Sequence, residues 1–263
     1  MKTLVMKFGG ASVSSPEHFL AIADIIIERS KVFSQIVVVV SAMGDTTDEL
    51  LALARKVHPN PPIREQDMLI SVGERISIAL LAMALARKGK DAISFTGSQS
   101  GIITCNKHSE AKIVAVKPYR IVQELKQGKI VIVAGFQGVG LNKEITTLGR
   151  GGSDTSAVAL GVALKCEKIE FYKDVSGIYS QDPTVNPKAE LLKKLSYDEA
   201  LSISKQGGVL HPRSILLAKK NGILLHVLCF KEFQSNVEIE TLGTFIGEAS
   251  EIAGVYEEEL VHG

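Results

Sequence analysis

The chain has 263 residues, 45% of them hydrophobic and 22% charged, enough to bury a substantial core as one large or two small domains; one continuous core is expected. A formal net charge of +1 provides no basic field for nucleic acid or an anionic membrane surface, so a small ligand is the expected partner. Cys105, Cys166 and Cys229 are odd in number, far apart and without metal-ligand spacing, which implies buried free thiols in a reducing compartment rather than a disulfide framework. The apolar run before Lys7 and the run IVVVV at 36–40 fall well short of the roughly 20 residues that span a bilayer, and no targeting segment is visible. A cytoplasmic location follows as the expectation.

Along the chain, short apolar or β-branched runs at 2–7, 35–41, 91–95, 130–135, 168–172 and 223–229 read as strands covered on both faces. Helical patterns lie between them. Ser15 is placed as a cap with Pro16 and Glu17 in the first turn, and further helices are expected over 45–57, 64–88, 118–127 and 153–165. Pro59, Pro61 and Pro62 separate the second helix from the third. The alternation implies a three-layer α/β/α sandwich around a mainly parallel central sheet. A softer division falls near residue 165, with the substrate side at about 1–165 and the nucleotide side at 166–247 on one shared sheet, because ligands of open α/β sheets sit at the carboxyl ends of strands. The segment 248–263 turns acidic and reads as a loosely attached tail.

Three stretches carry chemistry. In VMKFGGASV, Lys7 closes the first strand, and Phe8, Gly9 and Gly10 follow where backbone amides could approach a phosphate; this is neither a Walker A loop nor GxGxxG, and by composition alone a solvated strand-end lysine before an ordinary turn is the better reading. In TTLGRGGSDTSAVAL, Arg150 offers a fork for a carboxylate at a helix N-terminus, while Ser153 and Asp154 could be no more than a helix cap. In YKDVSGIYSQDP, Asp174, Tyr179 and Asp182 alternate with small residues, as in a loop over a nucleotide or in an ordinary turn.

Taken in order, VMKFGGASV, VVVVSAMGDTTDEL, SVGERISIALLAMAL, TGSQSGI, TTLGRGGSDTSAVAL, YKDVSGIYSQDP and VLHPRSILLAKK resemble the catalytic domain of aspartokinases, in the amino acid kinase family. The resemblance covers about residues 3–247. It implies transfer of the γ-phosphoryl of ATP, with Mg²⁺ held mainly through the nucleotide, to the side-chain carboxylate of L-aspartate, giving 4-phospho-L-aspartate at the head of lysine, threonine, methionine and diaminopimelate biosynthesis. By motif position, Lys7 and Asp154 are catalytic. Glu74 would take the substrate ammonium, Arg150 the α-carboxylate, and Thr47 and Ser153 would supply donors; without the resemblance, Glu74 reads as an ion pair with Arg75 or Arg64 on a solvated helix face. Lys7, Phe8, Gly9, Gly10, Lys173, Asp174, Tyr179, Asp182 and Lys205 form the expected ATP side.

The chain departs from the family pattern at Lys173, Thr184 and Gly208, where threonine or serine, arginine and lysine are usual, and more mildly at Ala11. Lys173 is expected to replace the missing cations on the phosphates, with Lys205 a weaker substitute. No protein metal site is expected. Regulatory ACT domains would begin where the chain stops, so insensitivity to lysine and threonine is expected, and a homodimer is entertained. Rival readings are a uridylate-kinase-like member of the family and an aspartate-binding regulator without turnover.

Overall fold

In the computed structural model, residues 2–205, 207–233, 238–247 and 254–257 are described. The first half runs β1 (Thr3–Phe8), α1 (Pro16–Arg29), β2 (Gln35–Val40), α2 (Thr46–Val57), α3 (Ile63–Ile70), α4 (Val72–Arg87), β3 (Ala92–Phe95), β4 (Ile102–Thr104), β5 (Ile113–Val116), α5 (Tyr119–Lys126) and β6 (Ile130–Ala134). It continues through β7 (Gln137–Gly140), β8 (Ile145–Thr147), α6 (Gly152–Leu164), β9 (Lys168–Lys173), β10 (Ile178–Tyr179), β11 (Leu191–Leu192), β12 (Lys194–Leu195), α7 (Tyr197–Ser204), α8 (Pro212–Asn221), β13 (Leu225–Cys229) and β14 (Thr244–Ile246).

Among the described residues, the central sheet has eight strands in the order β12-β14-β13-β9-β1-β2-β6-β3, parallel except for the β13–β14 pair. Helices cover both faces. Leu4, Met6 and Phe8 of β1 point to the layer of α1 and α4, whereas Val5 points to the layer of α5, α6 and α8. The sheet therefore divides the core into two apolar clusters, where one continuous core was expected. The period of two along a strand places Lys7 on the α6 side with Val5, and Ile169, Phe171 and Lys173 of β9 on that same side.

Two other differences shape the site. The helix expected over 64–88 is two helices that meet at Ser71, whose carbonyl accepts a hydrogen bond from the Gln137 side chain at 2.8 Å. Glu74, in the first turn of the second, is buried. By length and composition the Ile63–Arg87 stretch could cross a membrane, yet half of its most apolar window is buried inside the protein. A second sheet, β5-β4-β7-β8, lies beside the substrate half; its three- and four-residue strands leave little pattern in the sequence.

Ser15 caps α1 by accepting from the His18 amide, and all three cysteines are buried and free. Of the tail, 248–253 and 258–263 lie outside the described residues, but 254–257 is docked rather than loose. Val255 exchanges two hydrogen bonds with the Asn221 side chain, and Glu257 pairs with the Ile113 backbone.

Candidate active site

The carboxyl ends of β1 and β9 bring two lysines onto one acid. Lys7 Nζ lies 2.6 Å from Asp154 Oδ1, and Lys173 Nζ lies 3.1 Å from Oδ2. Asp154 sits in the first turn of α6, where the helix dipole also favours a negative charge. Burial opposes its ionisation, but the Lys173 and Lys7 ammonium groups outweigh burial and hold its pKa well below the usual carboxylate range. Burial pulls Lys7 down to about 8, against the attraction of Asp154 and with the repulsion of Lys173. With both lysines protonated, two ammonium groups share one carboxylate. The cluster carries a net positive charge, suited to an anion.

Above it opens a cleft of about 640 Å³ lined by Lys7, Gly10, Thr47, Glu74, Arg150, Ser153 and Asp154, among others. Every residue expected on the substrate side is present. Glu74 is buried, and its Oε1 accepts from the Ala42 amide at 3.1 Å, while Oε2 has no hydrogen-bond partner among the described residues. Burial raises its pKa to about 8, against the pull of the Ala42 amide and Lys7. The alternative surface ion pair is absent, since Arg64 pairs with Glu65 and Glu144 instead. Arg150 is exposed and has no ion-pair partner among the described residues.

The turn that presents Arg150 needs its glycines. Gly149 and Gly151 lie at φ +72° and +70°, and a Cβ on Gly151 would stand 2.1 Å from the His211 ring. The capping reading of Ser153 and Asp154 fails: the cap position is Gly151, with no side-chain cap, and both residues lie inside the first turn. Gly9 and Gly10 are not in the left-handed region, and the space at Gly10 serves the close approach of the Ala42 and Gly44 carbonyls.

The expected nucleotide residues are less gathered. The Phe8 side chain is core, stacked on Tyr172 with ring centroids 4.6 Å apart, which leaves only its backbone for a ligand. Gly9, Lys173, Asp174, Tyr179, Asp182 and Lys205 do not line the cleft, although Lys173 reaches it through its contact with Asp154. Asp182 instead closes a turn by accepting from the Thr184 amide and hydroxyl at 2.8 and 2.7 Å. At Gly208 a Cβ would stand 2.6 Å from Ser204 Cα, so a lysine there would require the backbone to move. Sequence reasoning missed Ser41, Arg55, Gln66, Ser109, Phe136 and Thr147 in the cleft wall. It also missed Asp67, a fully buried acid that accepts from the Thr147 amide and hydroxyl, the Ser109 amide and hydroxyl, and His108. These come from segments far apart in sequence.

The amino acid kinase family model matches residues 2–229. The chain belongs to the amino acid kinase family. This family member is 50% identical over 241 residues to an aspartokinase of Bacillus sp. (strain MGA3), covering 91% of this chain and 59% of that protein. It is 51% identical over 231 residues to an aspartokinase of Corynebacterium glutamicum, covering 86% and 54%. The chain thus spans a little over half the length of these curated relatives. Among solved structures, the aspartate kinase from Synechocystis matches with a TM-score of 0.82 at 42% identity, over 98% of this chain and 41% of that one. E. coli aspartokinase III in complex with aspartate and ADP gives 0.82 at 25% identity, over 95% and 65%. The UMP kinase from Bacillus anthracis, at a TM-score of 0.67 and 19% identity over 95% of this chain and 97% of that one, shares the fold.

Proposed function

We propose that this chain phosphorylates L-aspartate with ATP on its side-chain carboxylate, giving 4-phospho-L-aspartate and ADP, the reaction that opens lysine, threonine, methionine and diaminopimelate biosynthesis. One observation carries the reading: a buried carboxylate oxygen, Glu74 Oε2, without a partner in a cleft that also holds the unpaired Arg150 guanidinium. An α-amino acid supplies the complement of both. Its ammonium gives the buried Glu74 a partner for its ionised form, which is costly to bury unpaired, and its α-carboxylate meets the fork of the exposed Arg150. Thr47 and Ser153 add donors from α2 and α6. The aspartokinase relatives, and the aspartate and ADP bound to the E. coli protein, point the same way.

The chemistry requires no general base. The nucleophile, with a reference pKa of about 3.9, is already ionised at neutral pH. The difficulty is bringing an anion to a polyanion. Lys7 meets that need as a buried cation at the cleft floor, oriented by Asp154, and stabilises charge spreading over the transferring phosphoryl oxygens. Lys173, on the far oxygen of Asp154, takes nucleotide phosphate contacts in place of the lysine that Gly208 replaces. Asp174, Tyr179, Asp182 and Lys205, beyond the carboxyl end of β9, form the outer nucleotide side. Magnesium, held through the nucleotide phosphates, would supply charge neutralisation there, since the acid at the cleft floor, Asp154, is already paired with two ammonium groups.

The test is hydroxylamine trapping of the acyl phosphate with ATP, Mg²⁺ and aspartate, run beside a uridylate phosphorylation assay. Aspartyl hydroxamate formation is the expected result. Turnover of uridylate without hydroxamate would overturn the proposal.

A further inference from the structure

The turn that carries Arg150 has little to hold it internally. Its own closure is the hydrogen bond from the Gly152 amide to the Gly149 carbonyl at 3.0 Å, with glycines in left-handed conformations on either side of Arg150. Since Arg150 has no ion-pair partner among the described residues, its aim depends on whatever fixes the backbone below it.

That anchor is Arg213, in the first turn of α8, three residues after Leu210 in the VLHPR stretch. Its guanidinium donates to the Leu148 carbonyl, directly before the turn, and to the Ala111 carbonyl at 2.9 Å. The Ala111 amide in turn donates to the Thr147 carbonyl at 2.9 Å, so the residue before the turn and the loop segment paired with the end of β8 are tied to one side chain. His211, two residues earlier, packs against Gly151 from the other side.

The guanidinium is itself held. Glu257 accepts from Arg213 Nε at 2.7 Å and from an Nη at 3.0 Å, a fork-to-carboxylate pairing. Glu257 is pinned by the Ile113 amide donating to its carboxylate at 2.7 Å, and by its own amide donating to the Ile113 carbonyl at 3.1 Å. The line of contacts runs from the docked segment 254–257 through Arg213 to Leu148 and the Arg150 turn.

We infer that Arg213 is a positioning residue for the carboxylate-binding turn, locked in place by Glu257. The inference rests on the reading of Arg150 as the group that takes the substrate's α-carboxylate. Lysine cannot replace Arg213, because a single ammonium lacks the planar fork that reaches two carbonyls and a carboxylate at once. A consequence is that lifting residues 254–257 from Ile113 loosens substrate binding without touching the nucleotide side.

The test compares Arg213→Lys, Glu257→Gln and Arg150→Met in the full-length protein, by KM for aspartate and for ATP and by thermal midpoint. Arg213→Lys should raise the aspartate KM by roughly tenfold to a hundredfold, the loss that ångström-scale misplacement of a substrate-positioning group brings, with the ATP KM at its parent value. Glu257→Gln should move it the same way by less. An equal rise in both KM values would mark general loosening and overturn the inference. If Arg150→Met raises the aspartate KM while Arg213→Lys and Glu257→Gln leave it at the parent value, the inference falls and the functional reading stands. If Arg150→Met itself changes nothing, the functional reading falls and takes this inference with it. Should Arg213→Lys fail to fold, Glu257→Gln decides alone.

Discussion

Replacing Glu74 with glutamine should move stability and function in opposite directions. In the ligand-free protein the carboxyl is buried and its pKa is raised from 4.5 to about 8. The folded state therefore binds more protons than the unfolded chain across that window, so ionisation of Glu74 lowers stability progressively as pH rises from about 4.5 to 8. At pH 7 the accumulated penalty is about 3 kcal/mol, from 1.36 kcal/mol per unit over the span from the unfolded value. Glutamine keeps an oxygen for the Ala42 amide and removes the charge. Its melting temperature at pH 7 should rise, by up to roughly 6–12 °C at about 2–4 °C per kcal/mol for a chain near this size. Aspartate binding should suffer, because the substrate ammonium then faces a neutral amide. Breaking one half of a buried ion pair costs about 3–5 kcal/mol, which corresponds to a loss of roughly 10² to 10³ or more in kcat/KM for aspartate. Binding of aspartate also pulls Glu74 into its ionised form, so the parent should release protons on binding near pH 7 to 8, read by calorimetry in buffers of different ionisation enthalpy. Glu74→Gln should abolish that release. A variant with lowered melting temperature and unchanged kcat/KM for aspartate would show that Glu74 is a packing residue and refute the reasoning.

Other outcomes follow from the same geometry. Lys7→Met should lower kcat by about 10² or more while leaving the aspartate KM nearly unchanged, because Lys7 acts on charge that develops in the transition state; a pure KM effect in steady-state kinetics would misplace it. Lys173→Thr should raise the KM for ATP and leave that for aspartate alone, whereas Lys205→Ala, exposed and outside the cleft, should do less. Unchanged ATP kinetics in Lys173→Thr, at both low and moderate salt, would show that the cations absent at Thr184 and Gly208 have no replacement. Aspartate should be strongly preferred over glutamate: packing of one methylene accounts for about 1–3 kcal/mol, and the longer chain also misaligns the nucleophile. Equal turnover of the two in the hydroxamate assay would contradict the assignment.

How far these positions could be read without coordinates depends on the range of the interaction. Strand positions were legible because continuous apolar runs mark strands covered on both faces, and β1, β2, β6 and β9 lie where such runs occur. The face of Lys7 follows from the period of two once Leu4, Met6 and Phe8 are assigned inward to α1 and α4. The convergence of Lys7 and Lys173 on Asp154 does not follow, because it needs β1 and β9 to be neighbours in register, with Lys7 opposite Phe171, and nothing local encodes a pairing across some 160 residues. The break at Ser71 has no proline to announce it, Gly73 beside it is a weak signal, and the Gln137 side chain that meets the Ser71 carbonyl comes from 66 residues away. Nothing in the sequence around Asp67 marks it, and it is the packing of α3 against β8 that buries it on Thr147.

The buried charges themselves separate scaffold from site. Arg29 and Glu170 are also buried, but they satisfy each other: two guanidinium nitrogens of Arg29 donate to the two Glu170 oxygens, and Lys168 and Tyr172 complete the acid's partners. A network closed in this way fixes the packing of α1 against β9 and leaves nothing for a ligand to answer. In the cleft the balance is left open. Among the described residues, Lys7 and Lys173 share one carboxylate between two cations, buried Glu74 keeps an oxygen unpartnered, and the exposed Arg150 has no acid. The surplus positive charge lies where β1 and β9 end, and the Glu74 carboxyl and the Arg150 guanidinium line the cleft. Selection for stability alone would remove the buried members of this set, since an unpaired buried group costs more than an apolar one of the same shape. Their retention has a chemical logic when the missing partners arrive together: a polyphosphate for the two lysines, and a zwitterion carrying a second carboxylate for Glu74 and Arg150.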